Sequence, residues 1–367
     1  MKERARTLAA AAREHELDVL LVSDLVDVRW LTGFTGSSAL AALSTEGERP
    51  GTLLTDFRYL EQVAEQVDPA WAVAQVTRDL PGPAVGEQFE AIWPHRRVAR
   101  IGFDDRSVTV HGLEGLRGEL GERAELVAAG GLVAPLREIK DAAEVERIRA
   151  AAQLADRALV QILERGLVGR TETALALDLE ITMRGLGAEQ LSFPPIVAAG
   201  AHAAFPHAEP RPVEIERGQL VTIDWGCRLD GYCSDCTRTF AAGALADDEA
   251  REVYELVLRA QEASLAAVAP GAAGRDVDAV ARTIIEEGGH GERFGHGLGH
   301  GVGLEVHEGP RLSKRSESTL APGMVVTVEP GIYVPGRFGV RIEDLVLVTQ
   351  DGREVLNGLP KELQEVA

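Results

Sequence analysis

The first part of the chain alternates short apolar runs with a stretch of helical spacing. The apolar runs span residues 19–22, 52–55 and 98–103, and residues 59–67 have the apolar spacing of a helix. Strands that alternate with helices along a chain are typical of an α/β domain. The pattern therefore predicts an α/β domain over residues 1–134.

The pattern changes at Gly130, Gly131 and Pro135, where turn-forming residues cluster. Beyond this point, apolar residues recur at helical spacing in four stretches, residues 141–166, 171–184, 247–267 and 276–287. Stretches rich in Val, Ile and Thr, which favour strands, cover residues 219–227, 232–240, 324–329 and 340–348. We therefore predict a second domain of mixed α+β structure over residues 135–367.

Two aspartates flank an Asp-Gly dipeptide, residues 230–231, which is the strongest short-range signal for a β-hairpin. A two-residue turn there places Asp224 opposite Thr237 and Asp235 opposite Gly226, with both carboxylates on one face. Such diagonal neighbours lie roughly 7 Å apart at the backbone, which suits two metal ions about 3.5–4 Å apart. Like charges on one sheet face repel each other unless the face is hydrated. The hairpin alone therefore leaves two interpretations open, a metal site and a solvated sheet edge.

A glycine-dense stretch over residues 294–311 carries three histidines, His296, His300 and His307. Its glycines lack the G-x-G-x-x-G spacing of phosphate-binding loops, and no strand and helix flank it in the required order. Neutral imidazole binds metals and titrates near neutral pH, while glycine lets the backbone approach a site closely. Each histidine alone is consistent with a structural role, but the cluster favours a functional one.

Carboxylates also occur inside apolar β segments near the end of the chain, at Glu329, Glu343 and Asp344. Acidic side chains are rarely buried without partners. Each of these could therefore lie on a hydrated strand face, pair with Arg341, or bind a cation. The pattern does not distinguish Glu343 from Asp344 as a candidate ligand.

Length and composition indicate a globular protein of two domains. A chain of 367 residues exceeds what one hydrophobic core usually organises, and fractions of 45% apolar and 26% charged residues are ordinary for globular proteins. No apolar run approaches the roughly 18 residues of a membrane span, and the charged opening, residues 1–6, does not begin a secretory signal. We therefore expect a cytoplasmic location. Three cysteines are too few for a disulfide framework.

Acidic residues outnumber basic ones, 58 against 38, which gives a formal net charge of -20. This charge repels phosphate backbones, and the sequence shows no basic stripe. Nucleic acid and membranes are therefore not expected as partners. The acidity also has an ordinary explanation, since a solvated acidic surface promotes solubility.

Five residues, taken in order, resemble the metal ligands of the pita-bread metallopeptidases, the family of methionine aminopeptidase, aminopeptidase P and prolidase. They are Asp224, Asp235, His300, Glu329 and Glu343. Each lies in a segment similar to a motif of the family: Ile-Asp-Trp-Gly, Ser-Asp-Cys-Thr-Arg-Thr, Gly-His-Gly-Val-Gly-Leu-Glu-Val-His-Glu, Thr-Val-Glu-Pro-Gly-Ile-Tyr and Val-Arg-Ile-Glu-Asp. The resemblance covers the second domain and implies that residues 135–367 form a pita-bread catalytic domain.

The first domain is similar to the creatinase-type N-terminal domain of the proline-specific branch of this family. The similarity lies in Trp30-Leu-Thr-Gly-Phe-Thr-Gly36 and Thr55-Asp-Phe-Arg-Tyr59. Methionine aminopeptidases lack this domain, so the resemblance implies a creatinase-like domain over residues 1–134 and an enzyme that cleaves the bond preceding proline. It also implies a homodimer, to which the N-terminal domain contributes. Creatinase, which works without metal, and relatives that serve only as binding modules have lost ligands that this chain keeps.

The resemblance implies two divalent metal ions as cofactors. Four carboxylates and one imidazole form an oxygen-rich site that suits Mn²⁺ or Co²⁺ better than Zn²⁺, with manganese the first choice in the family. A water shared by the two ions then attacks the carbonyl before proline as hydroxide. As the matching residues, Glu329 transfers the proton, His307 steadies the oxyanion and His207 lines the proline side. Thr237 is expected to donate a hydrogen bond to a ligand carboxylate, unless it serves only as a strand former.

Arg311 sets the expected length of the peptide substrate. A prolidase recognises the free carboxylate of a C-terminal proline, whereas an aminopeptidase P leaves room for residues beyond it. A guanidinium binds a carboxylate bidentately, and the family's prolidases have an arginine at the same offset from the histidine that matches His307. The resemblance therefore favours Xaa-Pro dipeptides, with aminopeptidase P activity and a peptide-binding module as alternatives. A solvated arginine in the charged stretch 311–315 is the other explanation for Arg311.

Overall fold

The chain folds into two units that divide between Arg137 and Glu138. The computed structural model describes residues 2–47, 49–95 and 97–367. Among these described residues, no helix is both long enough and apolar enough to cross a membrane. The division between the units falls inside a short helix, Ala134–Glu138, rather than in an extended linker.

The first unit is built on a mixed sheet. Its strands are β1 (Val19–Val22), β2 (Ala39–Ser44), β3 (Gly51–Thr55), β4 (Ala72–Gln75), β5 (Ala99–Phe103) and β6 (Ala124–Ala128). In the described part of this unit they form a six-stranded sheet in the order β4-β3-β2-β1-β5-β6. The central strand β1 pairs antiparallel with β2 and parallel with β5. It is buried throughout, as a continuous apolar run predicts for a strand covered on both faces.

The helices of the first unit are α1 (Lys2–Glu14), α2 (Leu25–Thr32), α3 (Leu60–Gln66), α4 (Gly82–Glu87), α5 (Phe89–Ile92) and α6 (Val110–Leu120), and α7 (Ala134–Glu138) crosses the boundary with the second unit. Val85, Phe89 and Leu116, from α4, α5 and α6, share a buried cluster with Leu21 of β1 and Ile101 of β5. The predicted α/β fold of this domain is confirmed.

The four helices predicted for the second unit are present as α8 (Ala142–Leu163), α9 (Glu172–Gly185), α10 (Asp248–Ala267) and α11 (Gly274–Glu287). The side chains of Asp141, Thr171 and Asp247 cap the first three helices by accepting backbone N–H bonds. The Glu144 carboxylate accepts a hydrogen bond from the backbone N–H of Asp141 and completes a capping box. Polar residues ahead of each apolar stripe therefore fix where these helices begin.

The strands of the second unit form two main sheets, each packed against one pair of helices, and two smaller sheets. They are β7 (Gln190–Leu191), β8 (Ile196–Ala199), β9 (Leu220–Trp225), β10 (Cys227–Leu229), β11 (Tyr232–Cys233), β12 (Cys236–Ala242), β13 (Gly299–Gly301), β14 (Glu308–Leu312), β15 (Val325–Val328), β16 (Gly331–Val334), β17 (Phe338–Arg341), β18 (Asp344–Val348), β19 (Arg353–Val355) and β20 (Glu365–Val366). One main sheet has the order β20-β12-β9-β8 and the other β14-β13-β15-β18-β19. Helices α8 and α9 share a buried cluster with the first sheet, including Leu179 and Trp225. Helices α10 and α11 share another with the second sheet, including Val257 and Val346.

The predicted hairpin is interrupted near its middle. Strand β9 ends at Trp225, and its partner β12 begins at Cys236. The tip of the hairpin, β10 and β11, belongs instead to a small sheet with β7. Gly226 lies so close to the carbonyl oxygen of Ser234 that a Cβ there would collide with it. The break leaves Asp235 outside the ladder, immediately before β12.

The predicted strand 340–348 is also broken. It forms β17, which ends at Arg341, and β18, which begins at Asp344. Glu343 lies between them, and Glu329 directly follows β15. These carboxylates therefore lie where strands end, and the regular alternation of faces along a strand does not fix their direction.

Arg238 is buried at the centre of an ion network in the second unit. Its Nη2 lies 2.7 Å from Asp344 Oδ1, and Lys361 Nζ lies 3.1 Å from Asp344 Oδ2. Gln261 donates a further hydrogen bond to the same carboxylate at 2.9 Å. Burial opposes ionisation of Asp344, but Arg238 and Lys361 outweigh it and hold the pKa of this carboxyl below its usual value. Asp344 is therefore a charged structural residue.

Arg238→Met is expected to destabilise the protein by about 3–5 kcal/mol, because it leaves the Asp344 carboxylate buried without its main partner. The free energy of unfolding, from urea denaturation, measures this loss. Arg337→Met is the matched control, since Arg337 pairs with Asp247 and Glu249 at the surface, where ion pairs contribute little. A loss for Arg238→Met no larger than that of the control would contradict the structural role of the network.

Candidate active site

The β-hairpin carries the first two candidate ligands. Strands β9 and β12 pair antiparallel with Asp224 opposite Thr237, in the predicted register. Both turn residues, Asp230 and Gly231, have positive φ angles, 48° and 82°, as a type I′ turn requires. Asp235, in the break before β12, is 5% exposed. The register predicted from the Asp-Gly dipeptide is therefore confirmed.

His300, on β13, faces two of the candidate carboxylates. Its Nε2 lies 3.6 Å from Asp235 Oδ2 and 3.4 Å from Glu329 Oε1. Its Nδ1 lies 3.1 Å from the carbonyl oxygen of Gly301, to which an Nδ1–H donates. Burial lowers the pKa of His300 to about 3, so the ring is neutral near pH 7. The unprotonated Nε2 is therefore on the side of the carboxylates, as a metal ligand requires.

Two glycines beside His300 let three strands come together. Strand β13 pairs with β14 on one side and β15 on the other. A Cβ at Gly299 would collide with the carbonyl oxygen of Thr327, and one at Gly301 would collide with that of Gly309. At these two positions glycine therefore permits close packing of neighbouring strands, which differs from the predicted approach of the backbone to a site.

The adjacent carboxylates Glu343 and Asp344 serve different parts of the structure. Asp344 belongs to the buried ion network, whereas Glu343 Oε2 accepts a hydrogen bond from Thr237 Oγ1 at 2.7 Å. The ligand atoms of Asp224, Asp235 and Glu343 all lie within 4.8 Å of one another. The structure therefore brings Glu343, and not Asp344, to the two aspartates. It also gives Thr237 the expected bond to a candidate ligand.

Burying this many carboxylates is costly unless a cation lies among them. Burial, together with the charges of neighbouring carboxylates, raises the pKa of Asp235 and of Glu343 well above their usual values. Burial also raises the pKa of Glu329 to about 7. Asp224 Oδ1 and Glu343 Oε1 are buried and accept no hydrogen bond from any described residue. These orphaned oxygens, in a set of four carboxylates and one imidazole, fit divalent ions that prefer oxygen ligands.

Arg341 is a buried cation within the site. It is 4% exposed, and its Nη2 lies 2.6 Å from Asp224 Oδ2. Its Nε donates to Thr237 Oγ1 at 3.0 Å and its Nη1 to the carbonyl oxygen of Pro206 at 3.2 Å. The sequence pattern suggests Arg341 only as a partner for carboxylates near it in the chain, but β17 packs against β9 and brings its guanidinium to Asp224. One guanidinium does not balance four carboxylates, so the need for a further cation remains.

Tyr333 and His296 extend this network, although the sequence predicts no role for Tyr333 and marks His296 only as a member of the histidine cluster. The Tyr333 hydroxyl accepts a bond from Arg341 Nη1 at 3.0 Å and lies 2.9 Å from His296 Nε2. Burial lowers the pKa of His296 to about 4, and its Nδ1 lies 2.8 Å from the carbonyl oxygen of Gly297. In a neutral ring protonated at Nδ1, Nε2 therefore accepts a hydrogen bond from the Tyr333 hydroxyl. The signal in the sequence was the histidine cluster, which does not reveal the tyrosine.

All candidate site residues line one cavity of about 560 Å³ in the second unit. They are Asp224, Asp235, His300, Glu329, Glu343, His207, His307 and Arg311. The same cavity has an apolar, proline-rich lining made by Phe193, Pro194, Pro195, Pro206 and Pro210. The site therefore combines a charged cluster with apolar surface, as small-molecule sites commonly do.

His307 stands beside His300, with the ring centroids 4.4 Å apart in an edge-to-face arrangement. Burial and the positive charge of Arg311 lower the pKa of His307, so the ring is neutral near pH 7. Its chain neighbour Glu308 lies 3.3 Å from Lys140 Nζ in a buried ion pair, which anchors this turn of the backbone. Arg311 is exposed and lies opposite His300 in the pairing of β13 with β14.

Helix α11 holds the glycine-rich loop that precedes β13. Arg282 donates to the carbonyl oxygens of Phe294 and His296 at 3.0 and 2.8 Å. Asp278 accepts two bonds from Arg282, at 2.8 and 2.7 Å, and one from the backbone N–H of Leu298 at 3.0 Å. One ion pair on a helix therefore fixes three backbone positions of the loop. The spacing of residues in the sequence does not predict this role of Arg282 and Asp278, because they bind backbone groups of the loop and not particular side chains.

Models of two protein families match the chain in succession. The model of the Creatinase/Prolidase N-terminal domain matches residues 4–139, and that of metallopeptidase family M24 matches residues 146–350. The second match covers more than half of the chain and contains every candidate site residue.

Individual proteins resemble the chain over nearly its whole length. It is 34% identical to the Xaa-Pro dipeptidase of Pyrococcus furiosus over 365 residues, which cover 99% of this chain and 100% of that protein. The structure of an Xaa-Pro dipeptidase from Bacillus anthracis superposes with a TM-score of 0.92 at 38% identity and covers 99% of both chains. The X-Pro aminopeptidase from Thermotoga maritima gives a TM-score of 0.88 at 34% identity, covering 97% of this chain and 100% of that chain.

The similarity extends over both units and is not confined to the catalytic motifs. The predicted combination of a creatinase-type N-terminal domain and a pita-bread catalytic domain is confirmed. A metallopeptidase family implies divalent metal ions, which the carboxylate cluster fits. The chain therefore belongs to metallopeptidase family M24 and is an enzyme of that family.

Proposed function

We propose that this enzyme hydrolyses the peptide bond preceding proline in Xaa-Pro dipeptides, with two divalent metal ions as cofactors. The observation that carries the proposal is the meeting of three carboxylates, with ligand atoms within 4.8 Å of one another, beside His300 in a cavity with a proline-rich lining. The proteins from P. furiosus and B. anthracis are both called Xaa-Pro dipeptidases, which supports the substrate class.

The metal ions are assigned to the five candidate ligands. These are Asp224, Asp235, His300, Glu329 and Glu343. An oxygen-rich set favours Mn²⁺ or Co²⁺ over Zn²⁺, and we propose manganese. When bound, the ions supply a water acidic enough to act as a nucleophile near neutral pH. Arg341 and Thr237 orient two of the ligand carboxylates through the bonds described above.

Proton transfer and oxyanion stabilisation are assigned to two residues of the cavity. Glu329 accepts a hydrogen bond from Thr327 on Oε1, and we assign to its carboxylate the transfer of a proton from the attacking water to the leaving nitrogen. His307 is neutral near pH 7 and donates its N–H to the substrate carbonyl oxygen as negative charge develops there. Both residues line the cavity, which supports these roles.

The proline side of the substrate is assigned to His207, the apolar lining and Arg311. The proline ring is apolar and its nitrogen carries no hydrogen in a peptide, so an apolar surface suits it. A dipeptide ends in a carboxylate on this proline, whereas a longer peptide has an amide there. The guanidinium of Arg311, which lines the cavity, therefore favours dipeptides.

Aminopeptidase P activity on longer peptides is the second candidate function. It is favoured by the similarity to the X-Pro aminopeptidase from T. maritima, whose TM-score of 0.88 is close to the 0.92 of the dipeptidase from B. anthracis. The two activities differ in the group that follows proline, so substrate length distinguishes them.

We also propose that the enzyme is a homodimer in the cytoplasm. Its creatinase-type N-terminal domain supports a dimer, since this domain contributes to assembly in the proline-specific branch. Light scattering and cell fractionation measure the two properties.

Metal-stripped protein reconstituted with Mn²⁺ is expected to release proline from Ala-Pro much faster than it cleaves Ala-Pro-Ala, and to leave a proline-free dipeptide intact. Chromatography of the products measures the three rates, and a chelator-treated sample is the control. Cleavage of Ala-Pro-Ala as fast as Ala-Pro would assign the enzyme to the aminopeptidase P type. Cleavage of neither peptide, or equal cleavage in chelator, would contradict the proposed function.

Asp235→Asn is expected to separate metal binding from stability. Loss of a ligand carboxylate should weaken Mn²⁺ binding by about 100-fold or more, measured by isothermal titration calorimetry. The midpoint of thermal unfolding of the metal-free protein should be unchanged or higher, because burial and the charge of Glu343 disfavour this carboxylate. Asp344→Asn is the contrast and should lower stability while Mn²⁺ affinity is kept. Unchanged Mn²⁺ affinity in Asp235→Asn would refute its role as a ligand.

Arg311→Ala is expected to raise KM for Ala-Pro by about 10-fold with little change in kcat, because it removes a contact made equally in the ground state and transition state. Steady-state kinetics on Ala-Pro and on a slowly cleaved longer peptide measure the effect. Lys314→Ala is the matched control, an exposed cation in the same stretch. Equal losses on both peptides would argue against carboxylate recognition by Arg311.

A further inference from the structure

One wall of the cavity is an unbroken stretch of chain, residues 206–210, which includes His207. The stretch lies in a loop between the end of β8 at Ala199 and Arg211. This loop consists of a short 3₁₀ helix, Gly200–Ala204, followed by turns. A wall of this kind has few backbone bonds of its own, so its position depends on attachments at its ends.

Glu172, the first residue of α9, attaches both ends of this loop. Its Oε1 accepts the backbone N–H of Ala199 at 2.9 Å, and its Oε2 accepts the backbone N–H of Arg211 at 2.9 Å. The residue is 1% exposed. A single buried carboxylate therefore joins the two ends of the loop.

Side chains of the loop bind the same carboxylate. His202 Nδ1 lies 3.0 Å from Glu172 Oε2, and Arg211 Nε lies 3.2 Å from it. Burial opposes ionisation of Glu172, but these donors and the two backbone N–H groups outweigh it and lower its pKa. Hydrogen-bond donors face both carboxylate oxygens of Glu172. A glutamine at this position would therefore place its amide N–H groups against other donors.

The start of α9 provides a second attachment beside the carboxylate. Thr171 caps the helix, and the backbone N–H of Thr173 donates to the carbonyl oxygen of Arg211 at 3.1 Å. The loop therefore ends on the first turn of a helix that is packed into the core. A rigid element rather than another loop sets its position.

The loop is tied to the candidate metal ligands at its centre. Pro206, one residue before His207, accepts a bond from Arg341 Nη1 at 3.2 Å, and Nη2 of the same guanidinium lies 2.6 Å from Asp224. The wall is thus held by Arg341 on the side of the ligands and by Glu172 at both ends. Glu172 itself does not line the cavity.

We propose that Glu172 is a positioning residue for substrate binding: it fixes the wall that carries His207 without touching the substrate. The inference rests on the proposed function, in which His207 lines the proline side. Loosening the wall weakens contacts to the proline ring that are made in the ground state and the transition state alike. It leaves the metal ligands in place, so KM changes and kcat does not.

The test compares Glu172→Gln with Glu180→Gln in the Mn²⁺-loaded enzyme. Glu180 lies on the same helix and pairs with Arg184 at the surface, so it controls for loss of a carboxylate from α9. Glu172→Gln is expected to raise KM for Ala-Pro by about 10-fold, with kcat within about twofold of the wild type. Its Mn²⁺ affinity, from calorimetry, should equal that of the wild type. Glu180→Gln should change none of these values.

Arg211→Ala is a second variant that keeps the test valid if Glu172→Gln does not fold. It removes the guanidinium from a half-exposed position and leaves the backbone bond to Glu172, so it should raise KM by a smaller factor in the same direction. Thermal unfolding confirms that each variant is folded before it is assayed.

A fall in kcat at unchanged KM, or a loss of Mn²⁺ affinity in Glu172→Gln, would overturn the positioning role, as would unchanged kinetics. Failure of the wild-type enzyme to cleave any proline peptide would overturn the proposed function and, with it, the role of Glu172. Because the wild type is assayed first, the two failures are distinguishable.

Discussion

The mutual repulsion of buried carboxylates is the constraint on which the second unit depends. Asp224, Asp235 and Glu343 have ligand atoms within 4.8 Å of one another, and burial raises the pKa of each. Holding such groups together costs folding free energy, and Arg341 offsets only part of it. Packing and hydrogen bonds elsewhere have to supply the difference. The site is therefore a region where stability is given up for the capacity to bind a cation.

The cluster assembles from both cores of the second unit. Asp224 comes from the sheet that packs against α8 and α9, whereas His300 comes from the sheet that packs against α10 and α11. The bond from Thr237 to Glu343 joins residues of the two halves. Neither half presents the full set of ligands alone. Cation binding and the packing of the halves are therefore coupled, and each stabilises the other.

Local signals predicted much of this architecture, because capping residues and an Asp-Gly turn act over a few positions. Asp141 begins α8 as a capping box, and Asp224 pairs with Thr237 in the expected register. The strand breaks and the partners of the ligands were not predictable in this way. Arg341 reaches Asp224 across 117 positions of sequence, and no periodicity encodes such a contact. Glu172 likewise looks like an ordinary acidic residue at the start of a helix, and only the fold reveals what it binds.

The packing of neighbouring strands, and not the chemistry of the site, requires the glycines on either side of His300. A side chain at Gly299 or Gly301 would strike a carbonyl oxygen of a neighbouring strand, whatever ligand the site contains. This steric demand involves no metal, substrate or proton. A descendant that had lost the carboxylates would still need both glycines to keep its strands together. Gly299 and Gly301 are therefore required by the packing of the strands and the carboxylates by the site, so a side chain at either glycine would disturb the fold whether or not a metal ion is bound.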